Sequence, residues 1–218
     1  SAARAAPWWR IALVAACWGC GGSAEEAAPQ VDRALLAEPG GEAVDRLQAV
    51  KYVLAELADQ RPSDRLGLIV FGSAAYLQAP FTDDHGVWSE LLAQTEIGMA
   101  GQSTVFGDAI GLAIKLFLEN DSDNRVLIIL TDGNDTGSTV PPVDAAKVAA
   151  THNIRIYTIA IGDPAAVGEE ALDLETIQRA SEVTGGRDFQ ALDRAQLEAA
   201  QNALNEARRR YRNGLSDY

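Results

Sequence analysis

Three stretches constrain this chain more than anything else in it: "RLGLIVF" (65–71), "RVLIIL" (125–130) and "IRIYTIAI" (154–161). Each is a nearly continuous apolar run of strand length. A strand with one wet face alternates apolar and polar residues, whereas a run like these needs cover on both faces. That is the situation of a parallel sheet held between helices. The intervening segments supply the cover. In "DRLQAVKYVLAELADQ" (45–60), Leu47, Val50, Leu54 and Leu57 recur at helical spacing, with Asp45 placed to cap and Pro62 just beyond the end. In "GQSTVFGDAIGLAIKLFLEN" (101–120), Phe106, Ile110, Ile114 and Phe117 line one helix face, and Ser103 or Thr104 lies at its start. "FTDDHGVWSELLAQ" (81–94) reads as a short helix after acidic capping residues, and "PPVDAAKVAATHN" (141–153) as a helix with prolines in its first turn. "LDLETIQRASEVTGG" (172–186) is a helix stopped by Gly185 and Gly186, followed by the short strand "DFQAL" and a closing helix in "RAQLEAAQNALNEARRRYR". "AYLQAP" (75–80) reads as an antiparallel edge strand in which Pro80 ends the pairing. The alternation predicts an α/β, doubly wound (Rossmann-like) fold: a mostly parallel sheet with one antiparallel edge strand and helices on both faces.

The chain divides at about residue 44. Residues 1–44 form an N-terminal segment with a first strand and an irregular loop; residues 45–218 hold the main domain. The apolar run "IALVAACW" (11–18) is too short to span a bilayer, which takes about 20 residues. Following Arg4 and Arg10 it also suits the core of a signal sequence, and "VAAC" (14–17) looks like a bacterial lipoprotein cleavage box. An ordered strand is the expectation adopted. Residues 23–42 are rich in Ala, Glu and Gly and read as a loop with at most one short helix, "EPGGE" (38–42) marking a turn.

Composition narrows the function. With 31 acidic and 18 basic residues the formal charge is −13, against nucleic-acid binding, which needs a basic surplus. The two histidines, His85 and His152, are far apart and read as surface residues, against a histidine-rich zinc site. Cys17 and Cys20 in "CWGC" leave three readings open: a thioredoxin-like redox pair, a lipid-modified Cys17, or two small apolar residues. The chain has no G-x-x-x-x-G-K-[ST] loop and no G-x-G-x-x-G after its first strand. "FGSAA" (71–75) lacks the spacing of a G-x-S-x-G nucleophile elbow. The sequence therefore predicts a protein that is not an enzyme.

In open α/β sheets, ligands sit outside the carboxyl ends of the strands, at a topological switch point. Asp132 lies at such an end, and Thr104 begins the helix before that strand. A hydroxyl and a carboxylate meeting there suit Mg²⁺, an oxygen-ligated ion that keeps several waters. The alternative is a turn in which Asp132 only accepts bonds from nearby backbone.

"DRLGLIVFGSAAYLQAPFTDD", "STVFGDAIGLAIK", "RVLIILTDGNDTG", "IRIYTIAIG" and "VTGGRDF" occur in this order. Together they resemble the von Willebrand factor A (VWA) domain, in particular its bacterial aerotolerance-operon (Bat-type) branch. The resemblance spans residues 45–197, most of the chain. It implies a metal-ion-dependent adhesion site (MIDAS) for Mg²⁺ built from three loops: Asp-x-Ser-x-Ser after the first strand, then a Thr, then an Asp. Thr104 in "STVFGD" matches the second loop and Asp132 in "LTDG" the third. The first loop is missing: Gly22 and Ser23 match its tail, but Gly19 and Gly21 stand where an Asp and a Ser are required. Thr104, Asp132 and Ser23 are thus the implied metal residues of an incomplete site, with Glu25, Glu26 and Asp135 as substitutes from nearby loops. Binding of Mg²⁺ is expected to be weak or absent, since this ion is held mainly by charge.

The expected function is a protein-interaction domain of a bacterial envelope protein, docking a partner at the carboxyl-end loops. A MoxR-type AAA ATPase is the partner the resemblance implies, and a membrane-tethered parent its setting, with this chain itself soluble. The basic cluster 208–212 reads as a solvated helix end. Two alternatives stand beside this reading. One is a metal-dependent adhesion module whose first loop was lost by truncation or an altered N-terminus, and the other is a lipoprotein or redox protein using Cys17 and Cys20.

Overall fold

The apolar N-terminal run takes the middle of the fold. In the computed structural model, which describes residues 10–16, 35–37, 43–96, 98–101, 103–120, 124–131, 134–161, 173–191, 199, 202–203 and 205–206, β1 (Arg10–Ala16) pairs in parallel with β4 (Arg65–Phe71) on one side and β6 (Arg125–Thr131) on the other. β6 continues in parallel to β7 (Ile154–Ile161), and β7 to β8 (Asp188–Ala191). β5 (Ala75–Thr82) closes the other edge antiparallel to β4, giving the order β5-β4-β1-β6-β7-β8. The predicted class is therefore observed: a mostly parallel sheet with one antiparallel edge strand.

β4 and β6 each feed two cores. Val126, Ile128 and Leu130 of β6 pack with Leu66, Leu68 and Val70 of β4 against α1 (Arg46–Asp59) and α2 (His85–Ala93). Leu127 and Ile129 pack with Ile69 and Phe71 against α3 (Phe106–Leu118), α4 (Pro142–Thr151) and α5 (Leu174–Glu182). Helices thus cover both faces. The predicted face of α3 is buried as read: Phe106, Ile110, Ile114 and Phe117 all belong to the second core.

Several local expectations change. The stretch read as irregular contains β2 (Leu35–Ala37), paired antiparallel with β3 (Ala43–Asp45). Three-residue strands carry too little periodicity to be seen, and only the glycine turn between them was legible. Pro80 does not end β5. The strand runs on to Thr82, and the register slips between the pairs Leu66↔Thr82 and Leu68↔Ala79. An extra residue in the edge strand takes up the proline, whose missing N–H then breaks no ladder bond. His85 is half-buried, its Nε2 lying 2.8 Å from the carbonyl of Asp64, and His152 is the half-buried C-cap of α4. Both were expected on the surface. The α2 cap forms as expected, Asp84 accepting from the Val87 N–H at 3.1 Å.

Candidate functional site

Parallel strands β4, β1 and β6 all point their carboxyl ends to one rim. The chain leaves β1 toward β4 and returns on the other side as β6, so the strand order reverses between β1 and β6. This is the switch point at which such sheets bind ligands. Two loops converge there: the one before α3, with Ser103 and Thr104, and the one after β6, residues 134–141.

Thr104 is buried, 2% exposed. Its N–H donates to Thr136 Oγ1 at 3.0 Å, and its carbonyl accepts from the Thr136 N–H at 2.9 Å. Neither Ser103 nor Thr104 caps α3. The cap position is Val105, which makes no side-chain capping bond. The helix end is instead served from the other loop. Asp135 Oδ1 accepts from the Phe106 N–H at 2.9 Å, and Ser138 Oγ accepts from the N–H groups of Gly107 (2.8 Å) and Asp108 (3.4 Å) while donating to Asp135. Asp108 answers in the opposite direction. Its Oδ1 accepts from the Thr139 N–H at 3.0 Å and the Val140 N–H at 3.2 Å. Further out, the Ser103 hydroxyl donates to the Ser73 hydroxyl at 3.0 Å, tying in the β4–β5 turn. Asn134 Oδ1 accepts from the N–H of Asp173, the N-cap residue of α5.

Of the three implied metal residues, only Thr104 can be located; Asp132 and Ser23 lie outside the described residues, as do Glu25, Glu26, Cys17 and Cys20. Asp135, considered as a substitute ligand, accepts hydrogen bonds from α3 and Ser138 instead. Among the described residues no group of three or more His, Cys, Asp or Glu is placed to hold a metal ion. Mg²⁺ is bound through carboxylates and waters, and the described carboxylates beside Thr104 already face backbone donors. The described set therefore does not fit a Mg²⁺ centre by itself.

A doubly wound sheet with a loop-built rim at its switch point defines a class of ligand-presenting domains. Residues 41–203 match the model of the von Willebrand factor type A domain, and the chain belongs to that family. Domains of this family mediate protein–protein interaction and adhesion, generally without enzymatic activity, and can bind metal at the MIDAS. The match begins after the segment in which the first metal-site loop was sought. The fold is similar to that of an aerotolerance-related membrane protein from Bacteroides fragilis, with 21% identity over 91% of this chain and 97% of that one and a TM-score of 0.68. It is also similar to that of the mussel byssus proximal thread matrix protein 1 with a zinc-occupied MIDAS motif, with 16% identity over 91% of this chain and 45% of that one and a TM-score of 0.67. An uncharacterised protein of Borreliella burgdorferi is 26% identical over 118 residues, 54% of this chain. The chain spans about a third of that relative's length, 35%. Among the described residues no helix is long and apolar enough to cross a membrane.

Sequence reasoning singled out Thr104 as a candidate but not the network around it. Asp135 and Ser138 are neighbours in one loop, but Asp108 lies about 30 residues earlier in the chain, and no local motif links the two segments. The signals available were an acid in the first turn of α3 and the hydroxyl-rich "DTGST" after β6.

Proposed function

We propose that this domain is a protein-docking module whose rim, built from the loops before α3 and after β6, engages a protein partner with little or no help from Mg²⁺. The observation that carries this is the direct bonding of the two loops, Thr104 to Thr136 in both directions. In this reading the two loops are held to each other by these bonds. Residues 45–218 carry the rim in this reading, and residues 1–44 contribute the central strand. The parent protein is a membrane-tethered component of a bacterial cell envelope and its partner a MoxR-type AAA ATPase. The family match supports a protein partner, and the fold shared with an aerotolerance-related membrane protein supports the envelope setting.

Two experiments test it. Binding of a purified MoxR-type ATPase should persist in EDTA and fall on substitution of exposed rim residues such as Thr136 and Thr139; binding indifferent to those changes removes the rim from the interface. Second, Mg²⁺ bound to a complete site would stabilise the fold by RT ln(1 + [L]/Kd), roughly 2.7 kcal/mol at about 100 times Kd. Here Mg²⁺ or Mn²⁺ should barely move the melting temperature, and Asp132→Ala should behave alike with and without metal. A saturable, Asp132-dependent shift would instead mean a working metal site completed from Ser23, Glu25 or Glu26.

A further inference from the structure

We infer that Asp135, Ser138 and Asp108 form a reciprocal latch that fixes the loop after β6 against the first turn of α3, so that the rim keeps its shape without a bound cation. The inference rests on the docking reading above and names the residues that organise that surface. The first turn of a helix leaves backbone N–H groups unpaired at the positive end of its dipole, where a carboxylate is favoured. In α3 that carboxylate comes from across the rim. Asp135 takes the Phe106 N–H, and its partner Ser138 takes those of Gly107 and Asp108. The helix returns a carboxylate of its own, Asp108, to the N–H groups of Thr139 and Val140. Neither segment can leave the other without breaking charge-assisted bonds donated in both directions, and these are the stronger kind. Gly107 completes the fit, since a Cβ there would lie 1.9 Å from the Val140 carbonyl oxygen. In consequence the α3 terminus is already occupied by an internal carboxylate and offers no free end to an acidic side chain of a partner.

The test is residue-resolved amide exchange on the full chain, in EDTA and in Mg²⁺. Protection at Phe106, Gly107, Thr139 and Val140 should be the same in both. Asp135→Ala should speed exchange at Phe106 and Gly107 by about tenfold or more, the scale of a lost bond to a charged acceptor. Asp135→Asn, which keeps an acceptor oxygen, should retain most of the protection. Sodium acetate should restore protection in Asp135→Ala and leave the parent chain unchanged, a rescue that a merely structural loss of packing would not show. Should Asp135→Ala not fold, Ser138→Ala is read the same way at Gly107 and Asp108. Protection that collapses in EDTA, or a folded Asp135→Ala with parental exchange, overturns the latch. None of these readouts involves a partner, so a latched rim that binds nothing would sink the docking proposal alone.

Discussion

A methyl group added to Gly107 would meet the carbonyl oxygen of Val140 at 1.9 Å and the nitrogen of Pro142 at 3.1 Å. Both are backbone atoms and cannot swing aside, so Gly107→Ala must push α3 and the loop after β6 apart. The expected cost is about 1–3 kcal/mol, the range for forcing extra atoms into a packed site, and the urea midpoint measures it. An unchanged midpoint would mean that the two segments separate freely. Asp84 is a second residue whose effect is local. It accepts from the Val87 N–H at the start of α2, and Asp84→Ala should cost about 0.5–2 kcal/mol, as for other lost N-caps. Because α2 carries the fully buried Trp88, fluorescence-detected unfolding can follow this variant.

At the scale of elements, β6 serves two cores from one strand. Ile128 lies in the core beneath α1 and α2, and Ile129 in the core beneath α3, α4 and α5; each is 0% exposed. Ile128→Ala and Ile129→Ala should each cost about 2–5 kcal/mol in chemical denaturation. A neutral result at either position would show that its face of the sheet is not sealed. β5 obeys different constraints. It lies at the edge and exposes Tyr76 and Leu77, and its two register shifts interrupt the ladder. Bulges and an edge proline are devices that keep a sheet from pairing with another chain. The sequence showed Pro80 but not which device would absorb it.

For the whole molecule, the strand that holds the sheet together lies outside the part that the family model matches. β1 stands between β4 and β6, with Leu13 opposite both Leu68 and Ile128. Residues 41–203 alone would have to pair β4 with β6 anew or leave two ladders open. This truncated chain is expected to lose cooperative thermal unfolding, with the sigmoidal transition by circular dichroism replaced by a broad one. A sharp transition at the parent temperature would show that β1 is dispensable.

Legibility followed the range of the interactions. The buried strands, the amphipathic face of α3, the Asp84 cap and the glycine stop of α5 could be read from the sequence. Each depends on residues a few positions apart, and spacing along the chain reports which side of an element is apolar. Thr104 could be singled out for a related reason: it lies just before a helix that periodicity had already located, though Val105 and not Thr104 holds the cap position. The sequence by itself thus determined the α/β class, the two-faced burial of "RVLIIL" and the loops that form the rim. Only the tertiary structure decided that Asp135 and Ser138 would cap a helix beginning some 30 residues earlier, that Asp108 would return the favour to Thr139 and Val140, and that Gly107 had to be a glycine. Those outcomes depend on where two loops are held by strands distant in sequence. A carboxylate or hydroxyl carries no mark of which backbone N–H it will face until the sheet brings that N–H within about 3 Å.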